Sequence, residues 1–135
     1  MCLVKPLPGL RRPPPPILED SELLAFSAGV FNSEGTQKVE RRRRGLPSFV
    51  IRVKACDRSI VENVARAWGT ALLLTKERGC DPEISQNSLG YKWAAEARGL
   101  RAKVVVRTYK EKGWLSREKE IKIRRLQREL NSRIF

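Results

Sequence analysis

SELLAFSAGVFNSEGT, residues Ser21 to Thr36, decides how the rest of this chain is read. Leu23, Leu24, Ser27, Ala28, Val30 and Phe31 recur at helical spacing, which predicts a helix with one apolar face. Asp20 or Ser21 offers an oxygen to the free N–H groups of the first turn, Glu22 suits the positive end of the dipole, and Gly35 stops the helix. Ala28 and Gly29, with Ser27 and Ser33 on neighbouring turns, carry little bulk, so a second helix backbone is expected to approach closely there. Glu34 falls in the last turn, beside the negative end of the dipole, where a carboxylate is disfavoured unless a cation offsets it. A divalent metal ion is one such cation. The plainer alternative is a core helix closed by a glycine, with Glu34 merely solvated.

Composition narrows the chemistry. The 135 residues are enough for one modest core, and 28 Lys and Arg against 15 Asp and Glu leave a net charge of +13. Such an excess points to polyanionic partners, nucleic acid first. No apolar run approaches the ~20 residues of a membrane span, and Met1 to Gly9, broken by Pro6 and Pro8, is too short for a secretory signal. Histidine is absent, which removes the usual general base and the commonest zinc ligand, and with them Ser-His-Asp, Cys-His and His-metal chemistry. Cys2, Cys56 and Cys80 are odd in number and lack C-x-x-C spacing, so neither a disulfide framework nor a zinc site is expected. A reducing cytoplasmic, intracellular setting fits.

Outward from the organising helix, residues 1–17 hold six of the eight prolines and form a basic, extended tail, with the folded domain expected over 18–135. Thr36 to Arg44, a turn at Gly45, Leu46 and Pro47, and Ser48 to Ala55 read as a hairpin. In the second strand Phe49, Ile51, Val53 and Ala55 alternate with Val50, Arg52 and Lys54, so one face is apolar and the other largely cationic. The same period places Lys38, Glu40, Arg42 and Arg44 outward in the first strand. Asp57 to Gly69 is a second helix, capped by Asp57 or Ser59, with Trp68 in its buried stripe. Thr70 to Arg78 and Tyr91 to Arg98 make a second hairpin, with Lys76 and Arg78 as outward residues and Lys92 among those facing them. Leu100 to Lys112 favours a strand by its KVVVRTY run, but the apolar sheet face still needs cover, so topology predicts a helix. Ser116 then caps a last, basic helix reaching about Asn131, with Leu115, Ile121, Ile123, Leu126 and Leu130 as its apolar positions.

The nine residues SAGVFNSEG resemble the signature of the LAGLIDADG homing endonucleases. Ala28, Gly29 and Gly35 match it outright, Val30 and Phe31 match in kind, and Glu34 takes the acidic place that in this family holds the catalytic metal. Ser27, Asn32 and Ser33 depart from it. The element order agrees over roughly Leu18 to Leu130. The resemblance therefore implies an α+β fold, one αββαββα unit whose curved antiparallel four-stranded sheet is covered by helices on one face. With a single copy of the signature, it implies a homodimer paired through Ala28, Gly29 and Ser33.

By the same resemblance the partner is double-stranded DNA and the cofactor a divalent cation, Mg2+ foremost, held by Glu34. A basic residue that the family places before its last helix falls in GWLSREKE, making Arg117 the first candidate and Lys119 the second. Lys38, Arg42, Arg44, Arg52, Lys54, Lys76, Arg78 and Lys92 are the candidate DNA contacts. A nine-residue strand of ~30 Å covers about nine base pairs, so two subunits would read twice that on a pseudo-palindromic site. The implied activity is site-specific, metal-dependent DNA cleavage by an intron- or intein-encoded enzyme. A binding protein on the same scaffold, maturase or regulator, is the alternative, and a small basic ribosome-associated protein a third.

Overall fold

A computed structural model describes residues 20–41 and 45–135 of the chain. The expected tail, and Arg42 and Arg44 of the basic run, lie outside the described residues. The elements follow in the order α1 (Ser21–Glu34), β1 (Gly35–Glu40), β2 (Ser48–Ala55), α2 (Arg58–Trp68), β3 (Leu72–Arg78), a single-turn α3 (Pro82–Ser85), β4 (Tyr91–Arg98), α4 (Leu100–Glu111) and α5 (Arg117–Leu130). The four strands form one antiparallel sheet in the order β1-β2-β4-β3. The fold is thus α+β, with the sheet covered on one face. Phe49, Ile51 and Val53 of β2 and Ala95 and Ala97 of β4, all of one alternation, share a core with residues of α1, α2, α4 and α5.

Local chemistry sets the boundaries. Asp20, Asp57 and Ser116 each accept a backbone N–H of the first turn, at 3.0, 2.9 and 3.2 Å, and so start α1, α2 and α5. Gly69, at φ 69°, ends α2 in the left-handed conformation that costs a glycine least. At Gly35 the reason is contact: a Cβ there would collide with the Phe31 ring and carbonyl, so only glycine lets α1 turn directly into β1. Leu100–Glu111 is helical despite its β-branched run. Ala102, Val105, Val106 and Tyr109 fall on one helical face and fill the core that the sheet leaves open, and tertiary burial outweighs the few tenths of a kcal/mol per residue of intrinsic preference.

A polar chain runs through this core. The indole N–H of Trp68 donates to Tyr109 Oη (2.7 Å), which lies 2.6 Å from Ser27 Oγ, and Ser27 itself donates to Leu24 O (2.7 Å). With the Ser27 proton committed to Leu24, Tyr109 is the donor in the shared contact, and every group is satisfied. The chain ties α1 to α2 and α4, and it accounts for a serine at the fully buried position 27. Phe31 packs edge-on to Trp68, centroids 6.2 Å apart, and against Tyr109 at 6.1 Å.

Three expectations are corrected. Cys56 and Cys80 form a disulfide, Cα atoms 5.5 Å apart, which joins the end of β2 to the loop after β3. Sequence spacing could not show it, because only the sheet register brings two cysteines separated by 24 residues together. Ile121, assigned to the apolar face of the last helix, is 42% exposed, while Ile123 is fully buried. Val50, on the outward alternation, is also fully buried; its neighbours in register are Lys38 and Arg98, long side chains whose stems can cover it. No helix among the described residues is long and apolar enough to cross a membrane.

Candidate active site and nucleic-acid interface

Glu34 is the last residue of α1, exposed, and followed without a loop by β1. No basic residue of α1 lies in that last turn. The cation arrives from α5. Lys119, 6% exposed, donates to Gly35 O (2.5 Å) and Gln37 Oε1 (3.0 Å), and its ammonium lies 5.1 Å from the centre of the Phe31 ring. It sits at the negative end of the α1 dipole, where a positive charge is stabilised. Burial, followed by repulsion from Lys122, still holds its pKa below the ordinary lysine value. Arg117, the first candidate from the sequence, lies two residues earlier in the same turn and is exposed.

Asn32 fixes the same junction from the other side. It donates to Trp114 O (2.7 Å) and accepts from the Ser116 N–H (3.0 Å), clipping α1 to the turn that begins α5. In the sequence Asn32 stood out only as a departure from the signature, and Gln37 was not singled out. Gln37 had left a trace: it shares the core-side alternation of Gly35 and Val39, where a polar side chain needs a buried partner.

The expected pairing surface divides. Ala28 is buried against the chain's own core, so it is not available to a partner. Gly29 and Ser33 are exposed, and Ala25, four residues before Gly29, extends them into a stripe with 42% exposed Phe26 beside it. A side chain added at Gly29 would meet nothing within 4 Å in the protomer.

On the uncovered sheet face, the register sets Lys38 of β1, Arg52 and Lys54 of β2, and Lys92 and Arg98 of β4 on one surface. These cations are largely paired. Glu96 bridges Arg52 and Arg98, donor to acceptor 2.6 and 2.5 Å, and Glu40 accepts from Arg98 at 2.7 Å. Burial alone would lower the pKa of Arg98, yet the two carboxylates raise it. Glu77 lies 2.8 Å from Lys54 and 3.8 Å from Lys92, and Lys54 heads the causes that depress its pKa. Glu77 therefore takes the position facing this surface that was expected of its neighbours. Arg78 instead lies over the Tyr91 ring, 5.8 Å from its centre, and Lys76 is exposed within the irregular stretch of β3. Glu40 reads as outward from the sequence, but Arg98, Glu77 and Glu96 were missed because only strand pairing tells which charges meet.

Among the described residues no group of three or more His, Cys, Asp or Glu side chains could hold a metal ion. One exposed carboxylate is nonetheless a fitting ligand for magnesium, which commonly takes one or two carboxylates and completes its shell with water and substrate phosphates.

No protein-family model and no curated protein matches the chain. Among solved structures it is similar to the LAGLIDADG homing endonuclease I-GzeII in complex with its DNA target, at 16% identity and a TM-score of 0.49, over 80% of this chain and 35% of that one. The chain thus spans about a third of that protein's length. A likeness so distant decides nothing about activity.

Proposed function

We propose that this chain is a DNA-binding nuclease of the LAGLIDADG type, which pairs with a second copy through the exposed stripe of α1 and cleaves both strands of a long pseudo-palindromic duplex. The observation that carries the proposal is the convergence at the α1–β1 junction: an exposed Glu34 carboxylate stands one residue from the Gly35 carbonyl on which the Lys119 ammonium is anchored. That junction opens onto a strand whose outward alternation joins the cationic sheet face.

In this reading Glu34 would hold a divalent cation, magnesium foremost. When bound, such an ion makes water a better nucleophile and stabilises the leaving oxygen. Lys119 supplies a fixed positive charge toward the phosphate and, with Gln37 and Asn32, holds the junction rigid. Arg52, Lys54, Lys92 and Lys38 face the duplex, with Glu96, Glu77 and Glu40 holding the paired cations flat until DNA arrives. Arg42 and Arg44 remain candidates for the same face.

A second reading is a binding protein without cleavage, maturase or regulator. It is favoured by Lys119 itself, which already offsets the charge at the end of α1 and leaves Glu34 tolerable without metal. Selecting bound duplexes from a randomised library and incubating them with and without Mg2+ separates the two readings. The nuclease predicts cleavage only with the metal, and Glu34→Gln should abolish it while keeping duplex affinity within about threefold. Cleavage by Glu34→Gln at the parent rate would remove Glu34 from the site.

A further inference from the structure

Most of the positive charge of this chain does not face the surface that the sheet offers to DNA. On the uncovered sheet face five cations stand beside three carboxylates, whereas residues 117–135 alone hold 7 Lys and Arg against 3 Glu, net +4 of the chain's +13. We infer that the outer surface of α5 and the chain after it is a second nucleic-acid surface, which grips the phosphate backbone of a duplex DNA segment other than the one under the sheet.

The geometry separates the two surfaces. At one end of α5, Lys119 touches Gly35 and Gln37; further along, Glu129 lies 3.6 Å from Arg41, so the helix runs beside β1 on the covered side of the sheet. Ile123 points into the core, while Arg117, Arg125 and Arg128 are exposed and have no ion pair among the described residues. Arg117 to Arg128 spans ~16 Å of helix, matching roughly five base pairs of backbone. A shallow groove lined by Ile121, Arg124, Gln127 and Arg128 continues, through shared Gln127 and Arg128, into one lined by Arg133. Duplex DNA is stiff over about 150 base pairs, so a segment lying on the sheet does not also wrap this face without a sharp bend.

Chemistry selects the occupant. Phe135, the aromatic ring of this region, already lies 4.6 Å from Lys110 Nζ and 5.3 Å from the Arg124 guanidinium, so it is taken by cations and gives single-stranded bases no free stacking platform. A membrane surface would need the apolar face of α5 outward, but Ile123 is buried and Leu126 and Leu130 pack against the core. Spaced arginines without a reading partner suit a phosphate backbone, bound independently of sequence.

The test uses the full chain and a 30-base-pair duplex of random sequence, followed by anisotropy over a range of KCl and by sedimentation at saturation. Arg125→Gln/Arg128→Gln should lower the number of duplexes bound and reduce the salt slope of that binding by about 1.8, roughly 0.9 per lost contact. Arg52→Gln/Lys54→Gln should leave this component intact and weaken the other. If the sheet variant changes nothing while the α5 variant loses binding, the sheet reading fails and this inference stands. An α5 variant equal to the parent in saturation and slope would overturn it. So would capture of single-stranded RNA or anionic vesicles through these two arginines in preference to the duplex.

Discussion

Tyr109→Phe tests whether the polar chain through the core holds α1 in place. The substitution keeps the ring that packs against Phe31 but deletes the oxygen that accepts from Trp68 and faces Ser27. The Trp68 N–H is then buried without a partner, which costs about 1–3 kcal/mol at neutral pH. A second, separable effect appears in alkali. Burial pushes the Tyr109 pKa up from 10 to about 12, partly opposed by its bonds to Ser27 and Trp68. Because the folded pKa lies above the unfolded one, the stabilisation is complete below pH 10 and is lost as pH rises toward 12. Two pH decades correspond to about 2.7 kcal/mol in all, of which about 1.4 is gone by pH 11. Urea unfolding of parent and variant at pH 8 and pH 11 isolates it, since lysine titration elsewhere is common to both. The gap between the proteins should narrow by about 1.4 kcal/mol at the higher pH. A gap that stays constant would show that the phenol is not buried as described, and α1, with Glu34 at its end, would then be held by other contacts.

Gly29→Leu should leave the protomer folded, since the space is open and leucine is the better helix former by up to ~1 kcal/mol, yet weaken self-association in sedimentation; an unchanged dimer would place the pairing surface elsewhere. Reducing the Cys56–Cys80 bridge, which spans 24 residues, should lower stability by about 3 kcal/mol in denaturation with and without dithiothreitol, and a shift near zero would count against the bridge. Lys119→Met should slow cleavage at least about tenfold while sparing duplex affinity, as expected for loss of a positive charge near the phosphate. Its stability difference from the parent also has a sign: a buried lysine with a depressed pKa is penalised while charged, and the penalty is relieved as pH rises toward 10.5, so the parent should gain on the variant over that range.

Helix caps, strand alternation and turn chemistry are local, so Asp57, Ser116 and the alternating faces of β2 were legible in the chain itself. So was the order of the longer elements, because the apolar face of two hairpins requires cover and Leu100–Glu111 is the segment able to give it; the single turn Pro82–Ser85 read only as polar loop. Which side chains meet is another matter. Glu96 between two arginines, Glu77 rather than Lys76 or Arg78 beside Lys54, and the Cys56–Cys80 bridge all follow from strand register, which a one-residue slip would invert. Lys119 reaches Gly35 across 84 residues, and no spacing rule within either segment could rank it above Arg117. The sequence by itself therefore determined the elements, the apolar face and the sign of the charge, since each depends on residues adjacent in the chain. Only tertiary packing decided where that charge lies and which cation stands beside Glu34, because electrostatic partners are chosen by distance through space.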